Sequence, residues 1–227
     1  MNTLEGINYN IKRSNRKTIS IYVERDGSVS VLAPQKMEAA ELEAAIESKA
    51  YLLHKHLAEW EILNRSRVIR EYVNGQSFLY LGRNYRLQFV EAQDVPLKLH
   101  NGYFKLRSKD KLKAEQHFID FYKTKGFSHL IGSIKTYQER MDVFPKSIRI
   151  MELQHRWASC TRTGNLNFHW KCLMAPKSVL DYVVVHELAH LKYMNHSPAF
   201  WKEVEKVMPD YHGRVGWLKE HGAGMGL

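Results

Sequence analysis

The stretch VVVHELAHLKYMNHSPAFW, Val183–Trp201, sets two histidines four residues apart around a glutamate and adds a third histidine six residues on. On an α-helix, positions four apart share a face, so His186 and His190 aim two imidazoles at one point. Glu187 projects roughly 100° round the helix from His186, where it can reach a water held by a metal without being a ligand. That is the place of a general base. A catalytic zinc takes three protein ligands and keeps a fourth position for water, whose pKa falls to about 7. His196 is the leading third ligand. It cannot lie on the shared helical face, so the helix must end between His190 and His196, with Asn195 a suitable left-handed residue for the turn. Glu203 and Glu205 are rival ligands, because some zinc hydrolases take a carboxylate from the following helix.

The residues around this stretch frame it. Upstream, APKSVLDYVVV offers Ser178 as a helix N-cap with Asp181 three residues later, a capping-box arrangement. The helix it opens is apolar nearly all round and should be buried. Downstream, a second helix opens at Ser197 with Pro198 in its first turn and presents Phe200, Trp201, Val204 and Val207. Before them, SIRIMEL (Ser147–Leu153) and NLNFHWKCL (Asn165–Leu173) read as strands, separated by a TRTGN turn. Between those strands HRWASC is dense in donors. Arg156 suits a substrate carboxylate, a phosphate or an anionic intermediate, or else pairs with a local carboxylate. His155, His169, Tyr211 and His212 are candidate transition-state donors.

Further from the motif, Phe127, Leu130, Ile131, Ile134, Tyr137 and Met141 recur at helical spacing after Asp110, with Gly126 expected to kink or divide the helix. The first 108 residues read as β-rich. They contain a hairpin, KTISIYVER to VSVLAP, turning at Asp26–Ser28, and two more around GRN (Gly82–Asn84) and Asn101-Gly102. One helix intervenes, from about Met37 to Leu63, with Leu42, Ile46, Leu53, Leu57 and Trp60 on one face. No internal repeat is visible. The expectation is an α+β chain with a β-rich region at 1–108 and a catalytic domain at 109–227.

Composition narrows the class. With 227 residues, 44% hydrophobic and 11% aromatic, the chain can bury a core, and it lacks a secretory h-region or an apolar run of membrane-spanning length. A soluble cytoplasmic protein without a membrane partner is expected. Two cysteines, Cys160 and Cys172, make neither a disulfide framework nor a zinc site. The net charge of +10 includes the clusters Lys12–Lys17 and Lys105–Lys113, which attract nucleic acid, nucleotides or acidic proteins nonspecifically without identifying any.

Taken together, RWASC (Arg156–Cys160), GNLNFHW (Gly164–Trp170), LDYVVVHELAHL (Leu180–Leu191) and NHSPAFW (Asn195–Trp201) resemble the YgjP-like metallopeptidase family, a zincin group. KTISIYVERDGSVSVLAP and YLGRNYRL extend the likeness over nearly the whole chain. The resemblance implies a zincin core, in which a backing helix and a small sheet support the active-site helix. It also implies one zinc on His186, His190 and His196, with Glu187 as the catalytic glutamate. Two residues depart from the family pattern: Ala158 stands where glycine is usual, and His155 where a small hydroxyl residue is common. SprT- and WLM-type relatives are proteases that work near DNA, whereas a YgjP-like protein has been assigned UTP pyrophosphatase activity.

The leading reading is therefore a zinc-dependent hydrolase acting on a peptide or protein, with an extended substrate paired to an edge strand near Asn165–Trp170. A nucleoside triphosphate pyrophosphatase keeps the metal and uses Arg156 and nearby lysines on the phosphates. The third reading is a nucleic-acid-binding module with structural zinc. Imidazole ligands also suit iron, manganese or nickel.

Overall fold

A computed structural model describes residues 2–4, 6–24, 28–64, 70–153 and 156–227, and the chain divides into two compact units, Met1–Arg67 and Val68–Leu227. In the first unit, β1 (Asn2–Leu4), β2 (Ile7–Ser14), β3 (Ser20–Val23) and β4 (Val29–Pro34) form one sheet in the order β1-β2-β4-β3. The expected hairpin is present as β3–β4, with Ile21 opposite Val31. Its turn at Asp26 lies outside the described residues. Arg13 donates to the carbonyls of Pro34 and Met37, at 3.2 and 2.6 Å, so part of the first basic cluster serves local structure.

The helix expected over 37–63 is instead two, α1 (Ala39–Glu47) and α2 (Ala50–Asn64). The Ser48 hydroxyl donates to the Ala45 carbonyl at 2.9 Å, the local competition that makes serine a poor helix-interior residue, and the chain turns there. Leu42, Ile46 and Leu53 close the core over Ile7, Tyr9 and Val31, with Leu57 packed at its margin, whereas the Trp60 side chain lies outside the described residues.

The second unit opens with a sheet of the same plan. Strands β5 (Ser77–Tyr80), β6 (Arg83–Val90), β7 (Leu97–His100) and β8 (Tyr103–Arg107) run in the order β5-β6-β8-β7. Hairpins at both edges flank one parallel pair, as in the first sheet, a repetition that no sequence similarity signals. The Asn101-Gly102 hairpin turn is as expected, with both φ angles positive. The earlier turn is centred on Leu81-Gly82, not on the whole of GRN, and Arg83 already belongs to β6.

Phe78, Leu87, Phe104 and Leu106 of this sheet share one core with Phe118 and Tyr122 of α3 (Ala114–Met141). The two units accordingly meet at 67/68, well ahead of 108/109. A sheet with one apolar face has to be covered, and α3 is the cover. α3 is also continuous across Gly126. A Cβ there would collide with Leu173 Cγ and lie 2.8 Å from its Cδ1, so the glycine marks a close helix approach rather than a break. Phe127, expected inside, is 42% exposed, because the buried stripe runs through Phe118, Tyr122, Gly126, Leu130 and Ile134.

A third sheet, β10-β11-β9, joins β9 (Ser147–Met151), β10 (Ala158–Cys160) and β11 (Asn165–His169). β11 is its central strand, pairing antiparallel with β10 and parallel with β9. The expected edge at Asn165–Trp170 is therefore occupied on both sides, and the edge facing the site is β10. Helices α4 (Lys177–Ala189), α5 (Pro198–Val207) and α6 (Tyr211–His221) complete an α+β fold. No helix among the described residues is long and apolar enough to cross a membrane.

The hairpin tip of β5–β6 braces the entry to α4. Leu81 N–H donates to Leu173 O at 2.8 Å and Gly82 N–H to Met174 O at 3.0 Å. A Cβ on Gly82 would come within 2.8 Å of Pro176 Cα, so glycine serves both the positive φ and the contact.

Gly126→Ala tests the packing of α3. Helix propensity alone predicts a gain of up to about 1 kcal/mol, but overpacking against Leu173 predicts a loss of about 1–3 kcal/mol. The net expectation is a lower melting temperature, read by circular dichroism, and a rise would show that Leu173 yields freely.

Candidate metal centre

α4 carries the first two histidines, and its burial follows from its composition: Leu180, Val184, Val185, Leu188 and Ala189 are fully enclosed. Its start differs from the expected capping box. Pro176 is the N-cap residue, and its carbonyl accepts from Val179 and Leu180 at 2.9 and 3.0 Å. Ser178 caps nothing. Lys177 Nζ instead reaches Ser133 Oγ at 2.7 Å and pairs with Asp181, taking the carboxylate that the box would have used.

The helix ends at Ala189 with His190 as its C-cap. Lys192 and Tyr193 both donate to the Ala189 carbonyl, at 3.1 and 2.9 Å, and this tightened turn reverses the chain. Asn195 is not among the residues with positive φ, so the expected left-handed turn is replaced by that tightening. Ser197 is extended and Pro198 opens α5, as expected. Lys192 also bonds Glu203 at 2.8 Å, tying the turn to α5 and giving Glu203 a structural partner. Glu205 is exposed.

The outcome is a triad. Ligand nitrogens of His186, His190 and His196 lie within 4.8 Å of one another, the one such cluster of three or more metal-binding side chains among the described residues. His196 Nε2 stands 3.0 Å from His186 Nε2, close to the ~3.3 Å between two nitrogens on one tetrahedral zinc. His190 Nδ1 lies 2.9 Å from the Tyr193 carbonyl, which makes that nitrogen the N–H donor and leaves Nε2 as the free lone pair. Tyr182 Oη lies 3.4 Å from His186 Nδ1. The rings rest on Phe200, whose centroid is 4.9, 4.6 and 4.8 Å from those of His186, His190 and His196.

Electrostatics favour the neutral imidazole at His186 and His196. Burial first, then the neighbouring His190 and His196, pushes the His186 pKa down to about 3, and burial lowers that of His196. Neutral imidazole is the ligating form. Glu187 is 5% exposed, its Oε2 has no hydrogen-bond partner, and burial raises its pKa to about 8 against the opposing charge of Arg156. Three convergent imidazole nitrogens beside an orphaned carboxylate oxygen fit a borderline divalent metal with a water beside it.

A cleft of about 410 Å³ opens here. β10 and its approach contribute Arg156, Trp157 and Ala158, α4 contributes Tyr182, Val183, His186 and Glu187, and α6 contributes Val215, Leu218 and Lys219. Ala158 is buried in an extended strand without positive φ, so the departure from glycine leaves the strand intact. His155 lies outside the described residues.

Two expected donors have other work. His169 is 0% exposed, accepts from Lys171 N–H at 3.0 Å through Nδ1 and faces Glu152 Oε1 at 3.0 Å through Nε2. Glu152 also accepts from Trp170 Nε1. His169 is thus buried and tied to the exposed Glu152 rather than free to act in the cleft. Tyr211 stacks with Tyr182 and Trp201, at 6.3 and 5.3 Å, and with the exposed His212 at 4.0 Å, and neither Tyr211 nor His212 lines the cleft. Trp201 stacks in turn on His196 at 5.7 Å. This column places the ligand that the active helix does not carry. Tyr182 and Trp201 were both missed, although Tyr182 sits one helical turn before His186.

The sequence matches the YgjP-like, metallopeptidase domain family over residues 17–221. No curated protein matches it. A solved structure described as the metallopeptidase zymogen of Pyrococcus abyssi abylysin is 27% identical, covers 38% of this chain and 86% of its own, and superposes with a TM-score of 0.35.

If Trp201 holds His196 in place, Trp201→Ala weakens metal binding by about tenfold, within the usual range for residues that orient ligands, whereas His196→Ala abolishes it. Competitive chelator titration of the full chain measures both, and equal affinities in wild type and Trp201→Ala would remove the positioning role.

Proposed function

Because the chain belongs to the YgjP-like metallopeptidase domain family, a metal-dependent hydrolase, we propose that it is a zinc peptidase with His186, His190 and His196 as ligands and Glu187 as general base. The observation that carries this reading is the triad of convergent histidine nitrogens beside a buried, unpartnered carboxylate oxygen at the cleft. A zinc ion held there would supply a Lewis acid able to polarise a carbonyl oxygen and to lower the pKa of water towards neutrality.

The chain's own residues do the rest. Glu187 takes the water proton, and its dry surroundings favour the protonated form long enough to deliver that proton to the leaving amine nitrogen. Arg156, which faces Glu187 across the cleft mouth, balances negative charge developing on the carbonyl oxygen. Tyr182, through its hydroxyl near His186 Nδ1, holds that imidazole's orientation.

The substrate backbone has a natural partner in β10. His169 N–H donates to Trp157 O and Thr161 N–H to Asn165 O, which fixes the alternation. Trp157, Ser159 and Thr161 face β11, and the amide groups of Ala158 and Cys160 point away from it. An extended peptide laid along that edge gains main-chain hydrogen bonds beside the three histidines. The walls of Trp157, Val183, Val215 and Leu218 accept an apolar side chain. Two free thiols, Cys160 and Cys172, accord with a reducing cytoplasmic setting.

Arg156 and Lys219 also give a nucleoside triphosphate pyrophosphatase a foothold, so the test separates the two. Glu187→Gln should retain about one zinc per chain while peptide hydrolysis falls by about 10²- to 10⁴-fold. Peptide cleavage undiminished in Glu187→Gln, or hydrolysis confined to UTP in wild type, would overturn the peptidase reading.

A further inference from the structure

The apolar side of the cleft turns on a missing side chain. Val215 and Leu218 line it from α6, three residues apart on one face, and Gly222, four residues further, is the next position on that face. The Trp157 indole occupies the place a side chain would take there: a Cβ on Gly222 would lie 2.7 Å from Trp157 Cζ2 and 3.5 Å from Cη2. Gly222 has φ −58° and ψ −35°, ordinary helical values that any residue adopts. The glycine is therefore required by the indole and not by the backbone.

The Trp157 main chain is anchored. Its carbonyl accepts from His169 N–H at 2.7 Å and from Cys172 Sγ at 3.2 Å, which ties it to β11 and to the segment before α4. A side chain at 222 would consequently displace the ring, and the ring is a wall of the cleft that also holds His186 and Glu187.

Gly222 is held in turn. Met225 is buried, and its N–H donates to Gly222 O at 3.2 Å. Arg70, half-buried ahead of β5, donates from Nη1 to the carbonyls of Gly224 and Gly226, at 3.1 and 2.8 Å, and from Nε to the carbonyl of Ser77 in β5 at 3.1 Å. One planar guanidinium thus clasps residues 224–226 to the sheet through three main-chain carbonyls, a contact that a lysine ammonium reproduces only in part.

We infer that Gly222 is a specificity-determining position of the cleft and Arg70 a positioning residue that acts through it. By leaving room for the indole, Gly222 sets the width of the recess among Trp157, Val183, Val215 and Leu218, and the recess takes a large apolar side chain of an extended peptide, phenylalanine or leucine, in preference to alanine. The assignment rests on the reading of the cleft as a peptide site, and its test separates binding from cleavage.

The zinc-loaded full chain carrying Glu187→Gln is titrated with labelled serine- and threonine-rich peptides that differ only in having phenylalanine, leucine or alanine at one position. Binding is read by fluorescence anisotropy. The phenylalanine peptide should bind at least about tenfold more tightly than the alanine peptide, the scale on which an apolar pocket discriminates. Gly222→Ala should remove most of that preference, and adding Trp157→Phe, whose smaller ring clears the new methyl group, should restore it. Arg70→Ala should lower the same ratio and Arg70→Lys recover part of it. Chelator titration should give the same zinc affinity throughout, which a general loss of structure would not leave intact. With Glu187 present, Gly222→Ala should act on the phenylalanine peptide through KM rather than kcat. A ratio near one in the parent, a ratio unmoved by Gly222→Ala, or no peptide binding at all would overturn the proposal, and a ratio unmoved by Arg70→Ala would overturn the part given to Arg70. A ratio that shifts as expected in a chain whose wild type cleaves none of the peptides would support the recess and sink the peptidase reading instead.

Discussion

Phe200 is the fixed point of the metal centre. It is fully buried, lies on the helix after the motif, and touches all three imidazole rings at once. Two of those rings are placed by the regularity of α4, but the third comes from a loop. A loop histidine would sample many rotamers if it met only solvent, and each would cost affinity through the ordering of a side chain. Packing against Phe200 and stacking on Trp201 meets that cost during folding rather than on metal binding.

The same logic extends outward. Tyr182, Tyr211, Trp201 and His196 form a continuous stack that draws residues from α4, α6, α5 and the intervening loop into one column. Each ring is held by neighbours from other segments, so the precision of the site belongs to the packing of three helices rather than to the motif. Lys192 and Glu203 add a polar tie across the same turn. Arg156, at the exposed approach to β10, opposes the burial that raises the Glu187 pKa without overcoming it.

The motif was legible because helical spacing is a local property: His186 and His190 follow from the 3.6-residue repeat alone, and Pro198 announced the next helix. What was not legible depended on contacts distant in sequence. Gly126 reads as a helix breaker until Leu173 is seen lying against it. His169 reads as a free donor, yet Glu152, on the far side of the β10 strand in sequence, holds it in the interior. β11 carries the alternation of an edge strand but is central, because the parallel partner β9 arrives from before the loop. The boundary at 67/68 was hidden for the same reason: composition changes near residue 108, but the apolar face of the second sheet finds its cover in α3.

The brace between the β5–β6 hairpin and the entry to α4 has an evolutionary consequence. Two of its links are main-chain hydrogen bonds, from Leu81 N–H to Leu173 O and from Gly82 N–H to Met174 O, which any side chain would permit. Only Gly82, pressed on Pro176, is bound to its identity. Outside the buried Phe78, Tyr80 and Leu87, the hairpin is thus held by its backbone and its one glycine rather than by its side chains, so a change in its length should be tolerated less well than a substitution at its exposed positions.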